Sequence, residues 1–490
     1  MIKFDGRIVQ FGFGAVGKSF YEKVKKEIKF NEYEYFVITR YQEEFDSYID
    51  LGGIAANFSI QEIANNNFRE IFENCLSEGD LLLDFADTVG TKDFCDWCAE
   101  KNIMYLNTND ADWPENWLNI FEQYKNVNGI RDKHNKNPRT NKYPIVIQHG
   151  NNPGLVSYFV KKGIEYIIHT QFKRDKHLKQ LLKQYKFKEI AHELGIRLIQ
   201  VNDIDTQKIS GNYNNDTLVN TWSIDSFLFE MLTEATLNLG THENVDYREV
   251  CKFVDLKQGY LEFNKLAAEM KGKTFYPQGM FDGFLIPHDE TVSIAKSLEI
   301  IEDGKVIYRP SVMFLYQPCH LAVQYFANAK LNEYPTPDPT KPLDCDNVEG
   351  NTIIRGYQYP KFAEIAYRDK ILSGTEYVGV LILGEKFEPV WVGNRIPPGA
   401  SYKNKKVSYW QTPTITPVAM SALAAVCWMI KNKEKGGIYY PDDIVEYDYI
   451  LKIAEKYITK TIYKTFSKKE LGKELAIDFS NLQVKDFLIK

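Results

Sequence analysis

Apolar positions in the first 150 residues follow two alternating rhythms. Short apolar runs at RIVQFGFG (7–14), YEYFVIT (33–39), LLLDFAD (81–87), MYLNT (104–108) and IVIQHG (145–150) predict buried strands. After the first of them, Val16, Phe20, Val24 and Ile28 recur every four residues, the mark of one helix face. SIQEIANNNFREIFENCLSEG (59–79) predicts a helix stopped by glycine. This alternation predicts an α/β fold, a Rossmann-type doubly wound parallel sheet. The polar stretch KNVNGIRDKHNKNPRTNK (125–142) predicts an exposed loop, and NNPGLVSYFVKKGIEYII a helix opened by Asn and Pro. QFKRDKHLKQLLKQYKFKEI (171–190) reads as a solvated helix with Leu178, Leu181, Leu182 and Tyr185 as its buried stripe; a basic patch for RNA or membrane is the alternative. Beyond about 196 the strands IRLIQV, SVMFLYQ (311–317) and VGVLILG (378–384) lie farther apart, as in an α+β substrate and dimerisation domain.

The chain has 490 residues, enough for two to four domains. The expected division is a dinucleotide-binding domain over 1–150, a substrate-binding and dimerisation domain over 151–395, and a C-terminal helical segment, 396–490, packing back on the first. A net charge of −6 gives no support to a nucleic-acid partner. The longest apolar run, Pro417 to Ile430, is shorter than the roughly 20 residues a membrane helix needs and reads as a buried helix. No membrane partner is expected, and the amino terminus lacks the pattern of a secretory leader, so the expected location is cytoplasmic. Seven cysteines over this length do not suggest a disulfide framework. The pair Cys95 and Cys98 has no second pair to complete a zinc site; no metal is expected.

GFGAVG places Gly12, Gly14 and Gly17 at G-x-G-x-x-G spacing between a short strand and an amphipathic helix. In that context the first glycine makes the tight turn, the second admits a pyrophosphate, and the third lets helix and strand pack closely. Phe13, Ala15 and Val16 complete the loop, and the helix amino terminus offers backbone N–H groups to phosphate. The acid that usually holds the ribose is missing: the second strand ends in Thr39 and Arg40. Arg40 suits a 2′-phosphate, whereas Glu43 and Glu44 lie within reach of a ribose, so these residues leave NAD and NADP both open.

Farther along stand HGNNPG (149–154), DIDTQ (203–207), VNTWSIDSFLFE (219–230), LGTHE (239–243), PHDETVSI (287–294) and RPSVMFLYQPC (309–319). In this order, behind the glycine motif, they resemble homospermidine synthase, a member of the saccharopine-dehydrogenase-like group. The resemblance runs from about residue 7 to about residue 450. It implies a homodimer that joins two putrescines, or spermidine and putrescine, into homospermidine. Ammonia or diaminopropane would leave, and a hydride borrowed by bound NAD would return to a second imine.

The resemblance gives Trp222 a cation–π role over an iminium, Glu230 the distal ammonium, and Asp203 an acidic position filled by Glu in the family. Read alone, Trp222 is a core ring and Asp203 a structural ion-pair partner. If WSIDSFLFE is helical, eight steps of roughly 100° set Trp222 and Glu230 on nearly one face. His288 and Glu290, two apart on an extended segment, would face one side and accept the proton lost when amine becomes imine. They would also suit a metal pair, although no further ligand stands at a recognisable spacing. Asn152, after a strand end, is expected to hold the nicotinamide carboxamide or the amine, or to cap the helix beginning at Pro153. Asp87 is expected near the nicotinamide ribose. Two other classes remain. A saccharopine- or carboxynorspermidine-type dehydrogenase would need a cationic clamp for a carboxylate, and only Lys208 and Arg309 flank the matched strings. A non-catalytic dinucleotide-binding protein would need no acid-lined cleft.

Overall fold

The alternation at the start of the chain builds a seven-stranded, all-parallel sheet. It is seen in a computed structural model that describes residues 1–489 except 87–88, 114–117, 138, 329–345, 349–350, 355–356, 359, 361 and 398–407. The chain divides into two compact units. The first comprises residues 1–155, 337–358 and 401–458; the second comprises 156–336, 359–400 and 459–490.

In the first unit the strands run in the order Phe58–Ile60, Tyr35–Thr39, Ile8–Phe11, Leu81–Asp84, Met104–Asn107, Pro144–Val146 and Gly437–Tyr439. Chain order therefore reverses beside the Ile8–Phe11 strand, and such a reversal opens a crevice at the carboxyl ends of the strands. This is a Rossmann-like sheet. Val9, Phe11, Leu82 and Tyr105 pack with Phe68, Phe72, Phe94 and Trp97 in its core. The helix Ile415–Lys431 is apolar all round and buried almost throughout, against the Ala15–Glu27 and Tyr447–Ala454 helices. Among the described residues no helix is long and apolar enough to cross a membrane.

Several local expectations are corrected. The polar stretch 125–142 is not a loop over its first half: a helix spans Ile120–Asn135. Asn119 caps it by accepting from the Glu122 N–H, and Phe121, Val127 and Ile130 are buried. The upstream Phe121 and Tyr124 complete its apolar face, and Gly129 costs too little to break it. Within 59–79 only Phe68–Glu73 is α-helical, because Phe58–Ile60 pairs with Tyr35–Thr39 as a sheet strand. The helix after HGNNPG starts at Leu155, not Pro153. Tyr185 is 50% exposed and does not extend the Leu178 stripe. It follows the helix Lys176–Lys183 with a positive φ, outside the helical repeat.

The second unit is built on a mostly antiparallel sheet of eleven strands. At its centre Ser311–Gln317 and Ile196–Asp205 pair in parallel, with Glu376–Gly384 antiparallel on the other side of Ile196–Asp205. Side chains alternate across such strands. One face carries Leu198, Met313, Leu315 and Leu381 into an apolar core. The other begins with Ile199, Val312 and Ile382 and ends with Asp203, Asp205, Tyr316 and Glu376, all buried. The polar ends of two parallel strands thus meet on one face.

Candidate functional site

The glycine loop closes as its spacing predicts. Gly12 has φ +85°, and a Cβ there would lie 2.8 Å from the Phe85 carbonyl carbon. A Cβ on Gly17 would meet the Gly12 oxygen at 2.5 Å, so this glycine sets helix against strand. A Cβ on Gly14 would meet nothing within 4 Å. Gly14 also stands at the N-cap of the Ala15–Glu27 helix, with no side chain capping it. The loop is tight where it folds on itself and open at the helix amino terminus, which fits a dinucleotide pyrophosphate. Phe13 turns its ring into the core against Tyr21 and Tyr48, leaving its backbone at the loop. Ala15 and Val16, both half-buried, form the first turn.

At the end of the second strand the Thr39 hydroxyl donates to the Glu44 carboxylate at 2.6 Å. Glu44 is buried, which raises its pKa, while Thr39 and Lys18 pull it back down. Arg40 is exposed, its guanidinium 4.8 Å over the Tyr41 ring. A carboxylate from the following helix thus stands bonded at the strand end. Asp87 lies outside the described residues. Nearby, Asp84 accepts from the Tyr105 hydroxyl at 2.7 Å and from the Ala86 N–H.

HGNNPG folds into a closed loop in which the Gly150 N–H donates to the Pro153 carbonyl and the Leu155 N–H to the Gly150 carbonyl. Gly154 takes φ +136°, and a Cβ there would run into Gly150. Asn152 sits half-exposed within this loop. The helix begins three residues after it, so Asn152 is not its N-cap.

In the second unit Asp203, Trp222, Glu230, His288 and Glu290 come together. The imidazole joins two of the acids: Nδ1 contacts the Glu290 carboxylate, and Nε2 lies 3.7 Å from Glu230, which Asp203 neighbours. Glu290 is fully buried, and its other oxygen, Oε1, has no hydrogen-bond partner among the described residues. Phe314 stacks on the imidazole, ring centres 4.3 Å apart and planes 14° apart. The proximity of His288 and Glu290 is as expected, but its cause is not an extended segment. Asp289 precedes a helix, Glu290–Ser297, and the first turn brings the pair together.

The helical alignment of Trp222 with Glu230 also needs correction. The helix runs Ile224–Leu232 with Ser223 as N-cap, so Trp222 precedes it. What holds the indole is a set of contacts from three separate strings. The Thr221 hydroxyl donates to Asp205 at 2.7 Å, Trp222 Nε1 donates to the Tyr316 hydroxyl at 2.9 Å, and Ser223 caps the helix by accepting from Ser226. Tyr316 stands directly opposite Asp203 in the strand register. Phe314, Tyr316, Asp205 and Thr221 were not singled out from sequence; the two-residue period of SVMFLYQ was the available signal for the first two.

Charge crowding sets the protonation of this cluster. Burial, with Asp203, Glu290 and Asp289 nearby, pushes Glu230 up to about 8 although His288 pulls it down. Burial opposes a charge on His288, but Glu290 and Glu230 outweigh it and hold the imidazolium to about 9. The cluster thus favours a proton on each group at neutral pH. It is suited to exchanging those protons for an organic cation.

Other candidates are occupied structurally. Arg309 is buried, bonded to Glu299 at 2.6 Å and to the Leu239 carbonyl, so it offers no carboxylate clamp. Lys208 is exposed on a short strand. Cys95 and Cys98 are buried free thiols whose pKa values burial raises far above the usual range. Among the described residues, Asp96, Glu100 and His134 alone form a metal-like trio, and Lys133 bridges the two carboxylates at 2.6 and 3.0 Å.

Residues 8–143 match the family model of the saccharopine dehydrogenase NADP binding domain. The chain is 23% identical over 478 residues to homospermidine synthase of Mesorhizobium japonicum, covering 92% of this chain and 89% of that one. It is also 23% identical to homospermidine synthase of Blastochloris viridis, over 90% of this chain and 87% of the relative. Its fold matches the crystal structure of a homospermidine synthase from Legionella pneumophila in complex with NAD. There the TM-score is 0.82 and the identity 24%, with 100% of this chain and 99% of that chain covered. The chain is thus similar to homospermidine synthases along nearly its whole length and shares the fold of the Legionella pneumophila enzyme.

Proposed function

We propose that the protein is an NAD-dependent aminobutyl transferase of the homospermidine synthase type. It joins two putrescines, or spermidine and putrescine, into homospermidine and releases ammonia or diaminopropane. The observation that carries this reading is the pairing of His288 with Glu230 and Glu290, Asp203 being near Glu230 and Trp222 anchored to the sheet face that carries Asp203. A diamine with two ammonium groups needs such acids, and an iminium gains up to about 2 kcal/mol over a desolvated indole.

In this reading the first unit binds the dinucleotide through Gly12, Phe13, Gly14, Ala15, Val16 and Gly17, with Thr39, Arg40, Asp87 and Asn152 around it. Bound NAD supplies a hydride acceptor that later returns the hydride, so no net redox change results. Glu44, bonded to Thr39, disfavours a 2′-phosphate and supports NAD over NADP. The second unit binds polyamine and forms the homodimer. Glu230 and Asp203 hold ammonium groups. His288, oriented by Glu290, takes the proton that the amine gives up on becoming an imine, once its own proton has been exchanged for the incoming cation. The imine carbon then adds the second amine, the first nitrogen leaves, and Trp222 faces the cation in between. The buried, already bonded Arg309 argues against a carboxylate-bearing substrate. The buried acids argue against a purely non-catalytic role. A cytoplasmic location is consistent with six free cysteines among the described residues.

Pure protein incubated with putrescine and substoichiometric NAD tests this. Homospermidine and ammonia in excess of the added NAD, with no net NADH, is the expected outcome. Oxidation of NAD(P)H by an amine plus a carboxylate-bearing carbonyl compound would instead establish the dehydrogenase class. Silence in both assays with intact dinucleotide binding would leave a non-catalytic binder.

A further inference from the structure

The strand Ser311–Gln317 holds both rings of the candidate site, though neither belongs to it. Phe314 stacks on His288, and Tyr316 accepts the Trp222 N–H. The two supports are alternate residues of one strand, so they face the same side about 7 Å apart along the chain. Both are buried. Phe227 closes the arrangement edge-on, its ring centre 6.2 Å from Trp222 and 6.1 Å from Tyr316. Trp222 itself lies in a short non-helical link, where nothing in the helix repeat fixes its rotamer. The hydroxyl of Tyr316 gives the indole a directional partner that apolar packing alone does not supply.

We propose that Tyr316 and Phe314 are positioning residues: one strand spaces the cation-facing indole from the proton-accepting imidazole. The proposal rests on the polyamine reading of the site above. Tyr316 acts through Trp222, its hydrogen-bonded partner, and Phe314 through His288, on which it stacks. Their losses therefore separate by readout. Tyr316→Phe loses one neutral hydrogen bond and lets the indole turn, so kcat for homospermidine formation falls about tenfold while KM for putrescine stays within about twofold. The pH profile keeps its shape. Phe314→Leu removes a ring face from the imidazolium, which eases its deprotonation, so the rising limb of kcat/KM moves to lower pH.

The decisive measurement is a double-mutant cycle on the full-length protein with NAD, steady-state kinetics and melting temperatures being read for every variant. Trp222→Phe is expected to slow the reaction, and adding Tyr316→Phe to it to cost nothing more. Multiplying losses would overturn the inference while leaving the polyamine reading standing. So would a Tyr316→Phe enzyme whose pH profile moves with that of Phe314→Leu, the mark of a generally softened sheet. A fully active Trp222→Phe enzyme would overturn it by a different route, by removing the role of the indole on which it depends.

Discussion

The two chemical regions of the molecule are written into the chain in opposite ways. The phosphate loop occupies residues 8–17 and is shaped mainly by backbone: Gly17 lies against Gly12, and Gly12 against Phe85 just past the neighbouring strand. The acidic site draws on residues 203 to 316, and Asp203 meets Tyr316 because two parallel strands end side by side. A loop made by backbone tolerates little variation in its glycines but asks only for main chain from its neighbours. A site made by side chains depends on register. A one-residue slip of Ser311–Gln317 against Ile196–Asp205 would carry Phe314 and Tyr316 to the other face.

The largest effect expected belongs to the second region. His288→Gln retains a hydrogen bond to Glu290 but removes the proton acceptor, and homospermidine formation should fall about 100- to 10,000-fold. Dinucleotide affinity should not change; a fall in both would merge the two regions. Next comes Trp222→Leu, which forfeits up to about 2 kcal/mol of iminium stabilisation, roughly a thirtyfold loss in kcat. An unchanged kcat would return the indole to a packing role.

A smaller effect concerns pH. Glu230 holds its proton to about 8 in the folded protein, against an ordinary 4.5 when unfolded. His288 holds its proton to about 9, against 6.5. Both pKa values are raised, so the folded state binds more protons and stability falls as pH rises. The His288 contribution is full below 6.5 and lost as pH passes 9; the Glu230 contribution begins to fade above 4.5 and is gone by about 8. The melting temperature should decline from pH 6.5 to 9, and Glu230→Gln should flatten part of that slope. Activity should rise over the same alkaline range as His288 becomes free to accept a proton. A melting temperature that climbs instead would contradict this charge balance. The smallest expected effect lies in the first region: Glu44→Gln should narrow the preference for NAD over NADP by less than about tenfold, measured as the two dissociation constants. No change would place the ribose elsewhere.

The strands were legible because buried parallel strands are short, contiguous apolar runs, and the glycine spacing fixes its own geometry. The helix Ile120–Asn135 was not, because asparagines, lysines and a glycine hide a face that only the core makes worth burying. The identities of the acidic cluster were legible through the resemblance of DIDTQ, NTWSIDSFLFE and PHDET, yet the reasons given for their proximity were not. Ser223 takes the cap and leaves Trp222 outside the helix, and Glu290 opens a helix where an extended segment was expected. The anchors Phe314 and Tyr316 read as ordinary strand residues because their partners are far away in sequence.

The seventh strand of the nucleotide unit, Gly437–Tyr439, pairs with Pro144–Val146, whose residues are made on the order of 300 positions earlier. At about 5–20 residues per second, a ribosome leaves that edge unpaired for on the order of tens of seconds. The second unit is interleaved in the same way, since residues 459–490 complete it. Birth of this chain is therefore a period of open sheet edges, which invite pairing with other nascent chains. Neither unit can be excised as one continuous fragment, and a chaperone that shields the early strands has a defined interval in which to act.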